Sequence, residues 1–208
     1  MRNAILLVMV AAGSALAQYK AEPAGAPPAE VPAAIAATLQ KTGAKIVSGT
    51  GTVVCEVWFR ATAPSGPKST EEGVAIPAIP HGALMGVLRF RAKGEDRRGQ
   101  AIPPGLYTLR YSMHPVNGDH LGVAPQRDFL VLTPVADDKN PAATPKFDDL
   151  MTMSRKASGT PHPAVLSLST SSHGKFPDLV KEGEHDWVLH GKIGDMAVAL
   201  TVVGRAEG

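Results

Sequence analysis

From Leu106 onward the side chains alternate. Tyr107, Leu109, Tyr111 and Met113 fall on one side of the chain, and Thr108, Arg110 and Ser112 on the other. A period of two marks a strand with one buried face. Pro103, Pro104 and Gly105, just before it, predict a rigid corner of type II, in which proline fixes φ and glycine accepts a positive φ. The alternation recurs elsewhere. Val53, Cys55, Val57 and Phe59 oppose Thr52, Glu56 and Arg60, and Ala44–Ser48 is expected to pair with this strand as a hairpin across Gly49, Thr50 and Gly51. Leu88 and Phe90 oppose Arg89 and Arg91 within a strand predicted over Gly82–Ala92. Asp128–Thr133 is apolar on both faces, which favours a central position. Ala164, Leu166 and Leu168 alternate with Val165, Ser167 and Ser169. Asp186–Ile193 and Met196–Val203 flank Gly194-Asp195, a pair suited to a two-residue hairpin turn.

Only two segments carry a helical period. Thr144 as cap, Pro145 in the first turn, acidic Asp148 and Asp149 early, basic Arg155 and Lys156 late and Gly159 as stop predict a surface helix with Phe147, Leu150 and Met151 on its apolar stripe. A marginal short helix is expected from Pro32 to about Thr42, with Ile35 and Leu39 one turn apart. The fold class that follows is mainly β: an antiparallel β-sandwich of about eight strands with one surface α-helix. The proline-bearing stretch from Pro64 to His81 reads as a long surface loop.

The domain is expected over residues 44–204. Before it, residues 18–43 read as an Ala/Pro-rich tether containing the short helix, because AEPAGAPPAEVPAA builds no packed face. Residues 1–17, MRNAILLVMVAAGSALA, have a charge at Arg2, an apolar run and a small-x-small ending, the order of an export signal peptide cleaved before Gln18. That apolar run is shorter than the roughly 20 residues of a membrane span, and no transmembrane segment is expected later. The setting implied is periplasmic or extracellular.

Charge narrows the partners. The formal net charge of the 208 residues is +2, too small for a field that gathers nucleic acid. The basic run RFRAKGEDRR, Arg89 to Arg98, reads as a solvated hairpin tip that discourages edge-to-edge pairing, with Arg89 and Arg91 as candidate ligand contacts. Cys55 is the single cysteine, so the chain forms no internal disulfide, and its apolar neighbours predict a buried, inert thiol. Trp58, on the face opposite Cys55, is either an exposed contact for a sugar or protein partner or a ring covered by a helix or loop.

The stretch AIPPGLYTLRY, Ala101 to Tyr111, resembles secreted bacterial β-sandwich domains of unknown function built on a Pro-Gly-x-Tyr-x-Leu corner, and is similar to the corner of prealbumin-like modules. The resemblance implies a sandwich outside the cytoplasm, with Tyr107 a core residue anchoring the strand after the corner.

Candidate chemistry is sparse. His114, Asp119 and His120 share one loop, where two imidazoles and a carboxylate are suitable donors for zinc or a similar metal. His185 and His190 are five apart and face opposite sides of one strand. Asp137-Asp138-Lys139-Asn140 reads as a solvated turn, since it lacks the oxygen spacing of a calcium loop. No nucleophile elbow, phosphate loop or dinucleotide fingerprint occurs. These readings converge on an exported, non-enzymatic binding or structural module of the cell envelope, with an unknown protein or glycan ligand, no cofactor and no nucleic acid. The rival is a small metal-dependent or hydrolytic enzyme with its site in the His114–His120 loop. A third expectation is a small apolar ligand held between the sheets.

Overall fold

The computed structural model describes residues 18–116 and 127–206. Residues 1–17, read as an export signal, and Asp119 and His120 lie outside these residues. Each strand that the alternation predicts is present, and every pairing is antiparallel. In chain order the elements are β1 (Tyr19–Gly25), α1 (Ala33–Ala36), β2 (Gly43–Ser48), β3 (Val53–Phe59), β4 (Leu84–Phe90), β5 (Gly94–Glu95), β6 (Ala101–Ile102), β7 (Gly105–Met113), β8 (Asp128–Pro134), α2 (Phe147–Ser158), β9 (Val165–Thr170), β10 (Asp178–Glu182), β11 (Asp186–Ile193) and β12 (Met196–Val203).

The fold is mainly β, but ten of the twelve described strands form one large sheet, not clearly a sandwich of eight strands, and β5 and β6 pair separately. Ten strands are hydrogen-bonded in the order β1-β2-β3-β4-β7-β8-β9-β12-β11-β10, and the sheet curls until it is nearly closed into a barrel. Register shifts in β1, between β2 and β3, in β4 and in β11 supply the extra twist that such a curl needs. Across the gap, the ring of Tyr19 on end strand β1 meets that of Trp187 on β11, next to end strand β10, edge to face at 5.3 Å. Near-closure also shields the two edges from other chains.

The alternating apolar faces point inward. Ile46, Cys55, Val57, Phe59, Leu88, Tyr107, Leu109, Tyr111, Leu130, Leu166, Leu189 and Leu200 belong to one buried core inside the curl. Two smaller cores cover the outer face. Val31, Ile35 and Leu39 lie over Trp58, Leu84 and Val87, and Leu150 and Met151 of α2 lie over Phe129, Val131 and Val165. The second explains why β8 is apolar on both sides.

Four expectations change. The stretch read as a tether begins with β1, which pairs with β2 from Tyr19↔Ser48 to Gly25↔Gly43; main-chain hydrogen bonds hold it, and these need no apolar side chains. The early helix is a single turn, although Ile35 and Leu39 are buried as its spacing requires. Helix α2 has Lys146 at its N-cap, without a side-chain cap, while Thr144 and Pro145 pass closely over Gly82. That glycine has φ +77°, and a Cβ there would lie 2.7 Å from the Pro145 carbonyl oxygen. Gly105 is not among the positive-φ glycines, so the corner is not of type II. It is closed instead by Tyr107, whose hydroxyl donates to the Pro103 carbonyl at 2.7 Å, with the ring in the core on the face the alternation assigns to it.

Candidate ligand cavity

A cavity of about 410 Å³ opens where the two walls of the curled sheet come together at one end. One wall is Gly43 and Ala44 of β2 with Val57 and Phe59 of β3. The other is Gly191 and Lys192 of β11, with Phe176 and Pro177 leading into β10. Gln40 and Thr42, ahead of β2, complete one side. The volume lies within the roughly 300–1,000 Å³ of small-molecule sites.

Local sequence explains the shape. Inward positions of β11 are Leu189, Gly191 and Ile193, and the glycine makes room for a neighbour's ring: a Cβ at residue 191 would stand 2.5 Å from Cε2 of Phe59. Phe59 can therefore reach across from β3 and floor the cavity. Lys192, the next residue, turns out of the core and is exposed, and its ammonium lies 5.3 Å from the centroid of the Phe176 ring, which also lines the cavity and keeps the charge at its rim. The two walls are stitched together. The Gln40 side-chain amide donates to the Lys192 carbonyl at 2.6 Å, and the Gln40 main-chain N–H donates to the Phe59 carbonyl at 2.8 Å.

The lining fixes what the cavity can do. Lys192 is its one charged residue among those described, and no histidine, cysteine, serine or carboxylate lines it. Such a surface suits an apolar body with one polar end, and its side chains of a nucleophile or base type are Thr42 and Lys192 alone. A second hollow of about 430 Å³ between Arg97, Glu182–Asp186 and Arg205 is polar. Its arginines are already engaged, Arg97 with Asp186 at 2.6 Å and Arg205 with Glu95 at 2.9 Å.

The residues singled out in the sequence lie elsewhere. Trp58 is fully buried beneath the segment read as a tether, and its indole N–H donates to the Gly25 carbonyl at 2.9 Å. It therefore has no face to offer a partner; instead it backs the cavity wall, since its ring lies where a side chain at Gly43 would stand. Arg89 and Arg91 converge on the buried carboxylate of Glu56, at 2.5 and 3.0 Å, and the Arg89 guanidinium stacks 5.6 Å above the Trp58 ring. Burial works to raise the Glu56 pKa, but the hydrogen bonds from the two arginines outweigh it and hold the group below the ordinary glutamate value. The far end of the basic run is tied down as well. Buried Asp96 accepts main-chain hydrogen bonds from Arg98, Gln100 and Val165, which fastens the β5–β6 hairpin to β9.

His114 is buried with its ring stacked on Phe129 at 4.2 Å, whereas Asp119 and His120 fall outside the described residues. Among the described residues no group of three or more His, Cys, Asp or Glu side chains is placed to hold a metal ion. Burial, with a smaller contribution from neighbouring Glu56, pushes the Cys55 thiol up to about 12, so it is neutral and inert at physiological pH. Asp138 is not solvated. It is buried against Arg110, Thr108 and Thr133.

Sequence reading also passes over a polar cluster on the outer face of β10 and β11. His190 is buried, with Nδ1 2.8 Å from Ser171 Oγ and Nε2 3.1 Å from a Glu182 carboxylate oxygen. The His173 ring lies 4.7 Å from that of His190, and its Nε2 is 2.8 Å from Asp178. The hydrogen bond from His173 keeps Asp178 below its ordinary pKa. Both carboxylates come from β10: Glu182 meets His190 of the neighbouring β11, and Asp178 ties His173 of the preceding loop to β10. The pairing Asp178↔His190 creates it, and residues so far apart in sequence gave no local signal. His185 lies in the exposed turn before β11 and is not brought to His190.

Compared with protein-family models, with curated proteins and with solved structures, the chain matches none.

Proposed function

We propose that this chain is an exported, non-enzymatic binding module of the cell envelope, and that it holds a small, largely apolar ligand in the cavity between β2–β3 and β10–β11. The observation that carries the reading is the cavity itself: a volume of small-molecule size, walled by Val57, Phe59 and Ala44, with no histidine, cysteine, serine or carboxylate among its lining residues. In this reading the two walls act as the leaves of a sandwich with the ligand between them. The leader-like pattern of residues 1–17 supports export, and the resemblance at Ala101–Tyr111 supports the same setting.

The reading is tested by mass spectrometry under non-denaturing conditions on protein purified without detergent, followed by titration with an apolar fluorescent probe. Wild type is expected to carry a discrete extra mass that organic extraction removes, or to bind the probe at one saturable site. Thr42→Phe, which places a ring at the exposed end of the cavity, abolishes either signal. A wild-type protein that carries nothing and takes up no probe, or a Thr42→Phe variant that binds as well as wild type, contradicts it.

A further inference from the structure

We infer that the ligand of this cavity is a medium-chain amphiphile with one anionic head, a carboxylate seated at Lys192; the inference rests on the binding reading above. Polarity along the cavity is ordered. Val57, Phe59 and Ala44 at the inner end belong to the apolar core, whereas Lys192 and Thr42 at the rim are exposed. Lys192 is the lone charge of the lining, and among the described residues no carboxylate pairs with it. The Phe176 ring beneath its ammonium holds the cation at the mouth. A ligand with its charge at one end therefore enters tail first, its chain replacing water against Val57 and Phe59 and its head meeting the ammonium in a charge-assisted hydrogen bond.

Size sets the chain length. At roughly 30 Å³ per water-sized group, the cavity of about 410 Å³ holds about fourteen such groups, enough for the ten carbons and two oxygens of decanoate. A cationic head is disfavoured by Lys192, and a neutral head forgoes the charge-assisted bond.

Calorimetric titration of the full mature chain with decanoate, decanol and decyltrimethylammonium tests this. Wild type is expected to bind decanoate tightest and the ammonium weakest. Lys192→Met weakens decanoate by about tenfold or more, the worth of one charge-assisted hydrogen bond, and leaves decanol within about twofold. Lys192→Arg retains decanoate binding, and Lys41→Met, an exposed lysine outside the lining, changes nothing. The inference is overturned if decanol or the ammonium binds as tightly as decanoate, if Lys192→Met leaves decanoate unchanged, or if Lys192→Arg fails together with Lys192→Met. If wild type binds none of the three compounds, the binding reading itself fails.

Discussion

The side-chain amide of Gln40 donates to the main-chain carbonyl of Lys192 at 2.6 Å, across 152 residues of chain. It joins the segment entering β2 to the strand on the opposite wall, so one neutral hydrogen bond holds the mouth of the cavity at its width. Gln40→Met removes the donor while keeping the length of the side chain. The expected cost is about 0.5–1.5 kcal/mol in urea unfolding, with faster release of a bound ligand in stopped-flow mixing. Unchanged stability together with unchanged release would mean that the walls are held by other contacts.

Arg110 shows a different economy. Its guanidinium is fully buried, and each of its five N–H groups has an acceptor: two on the carboxylate of Asp138, and one each on the carbonyls of Gly82, Ala143 and Asn140. Asp138→Leu leaves that cation buried without its counter-charge and is expected to cost about 3–5 kcal/mol in guanidinium chloride unfolding. The double variant Arg110→Met/Asp138→Leu should lose less than the single one, because no charge is left stranded. A single variant within about 1 kcal/mol of wild type would show that water reaches the guanidinium.

Deleting Gln18–Gly25 removes β1 and with it the carbonyl that accepts the Trp58 indole N–H, as well as the Tyr19 ring that meets Trp187. Both tryptophans should then emit at longer wavelength, and the thermal midpoint should fall. A flexible tether, by contrast, can be removed without either change.

Acid should weaken the outer face of β3 and β4 through Glu56. Its folded-state pKa lies below the ordinary value, because the Arg89 and Arg91 hydrogen bonds outweigh burial. The stability this group supplies is therefore fully present above the unfolded-state glutamate pKa of about 4.3 and is lost as pH falls through the lower folded-state value. The stability difference between wild type and Glu56→Gln should shrink steadily from about pH 6 to about pH 3. A constant difference would mean that the arginines do not act on the ionised form.

The strands were legible because alternation is a local property: Val53 to Phe59 and Tyr107 to Met113 sort their side chains inward and outward wherever the chain goes. Closure of the sheet was not legible. It depends on irregularities such as the shift between Leu84 and Gly86, which alternation does not record. Arg110 marks a second limit. A period of two assigns it to the face opposite Leu109, but says nothing of the loop carrying Asp138 that covers that face. β1 escaped notice because Ala and Pro have low strand propensity, and main-chain pairing with β2 overrides it. The cavity could not be read at all, since Gln40, Phe59, Phe176 and Lys192 meet only after the sheet has curled.

The space between Val57, Phe59 and Gly191 is the proposed binding site, and nuclear Overhauser contacts test it directly. With decanoate added to isotopically labelled protein, contacts from the chain protons are expected to the methyl groups of Ala44 and Val57 and to the ring of Phe59, with the carboxylate end near Lys192. Contacts confined to the exposed faces of Phe147 or Val116, or none to Ala44 and Val57 at saturation, would contradict it.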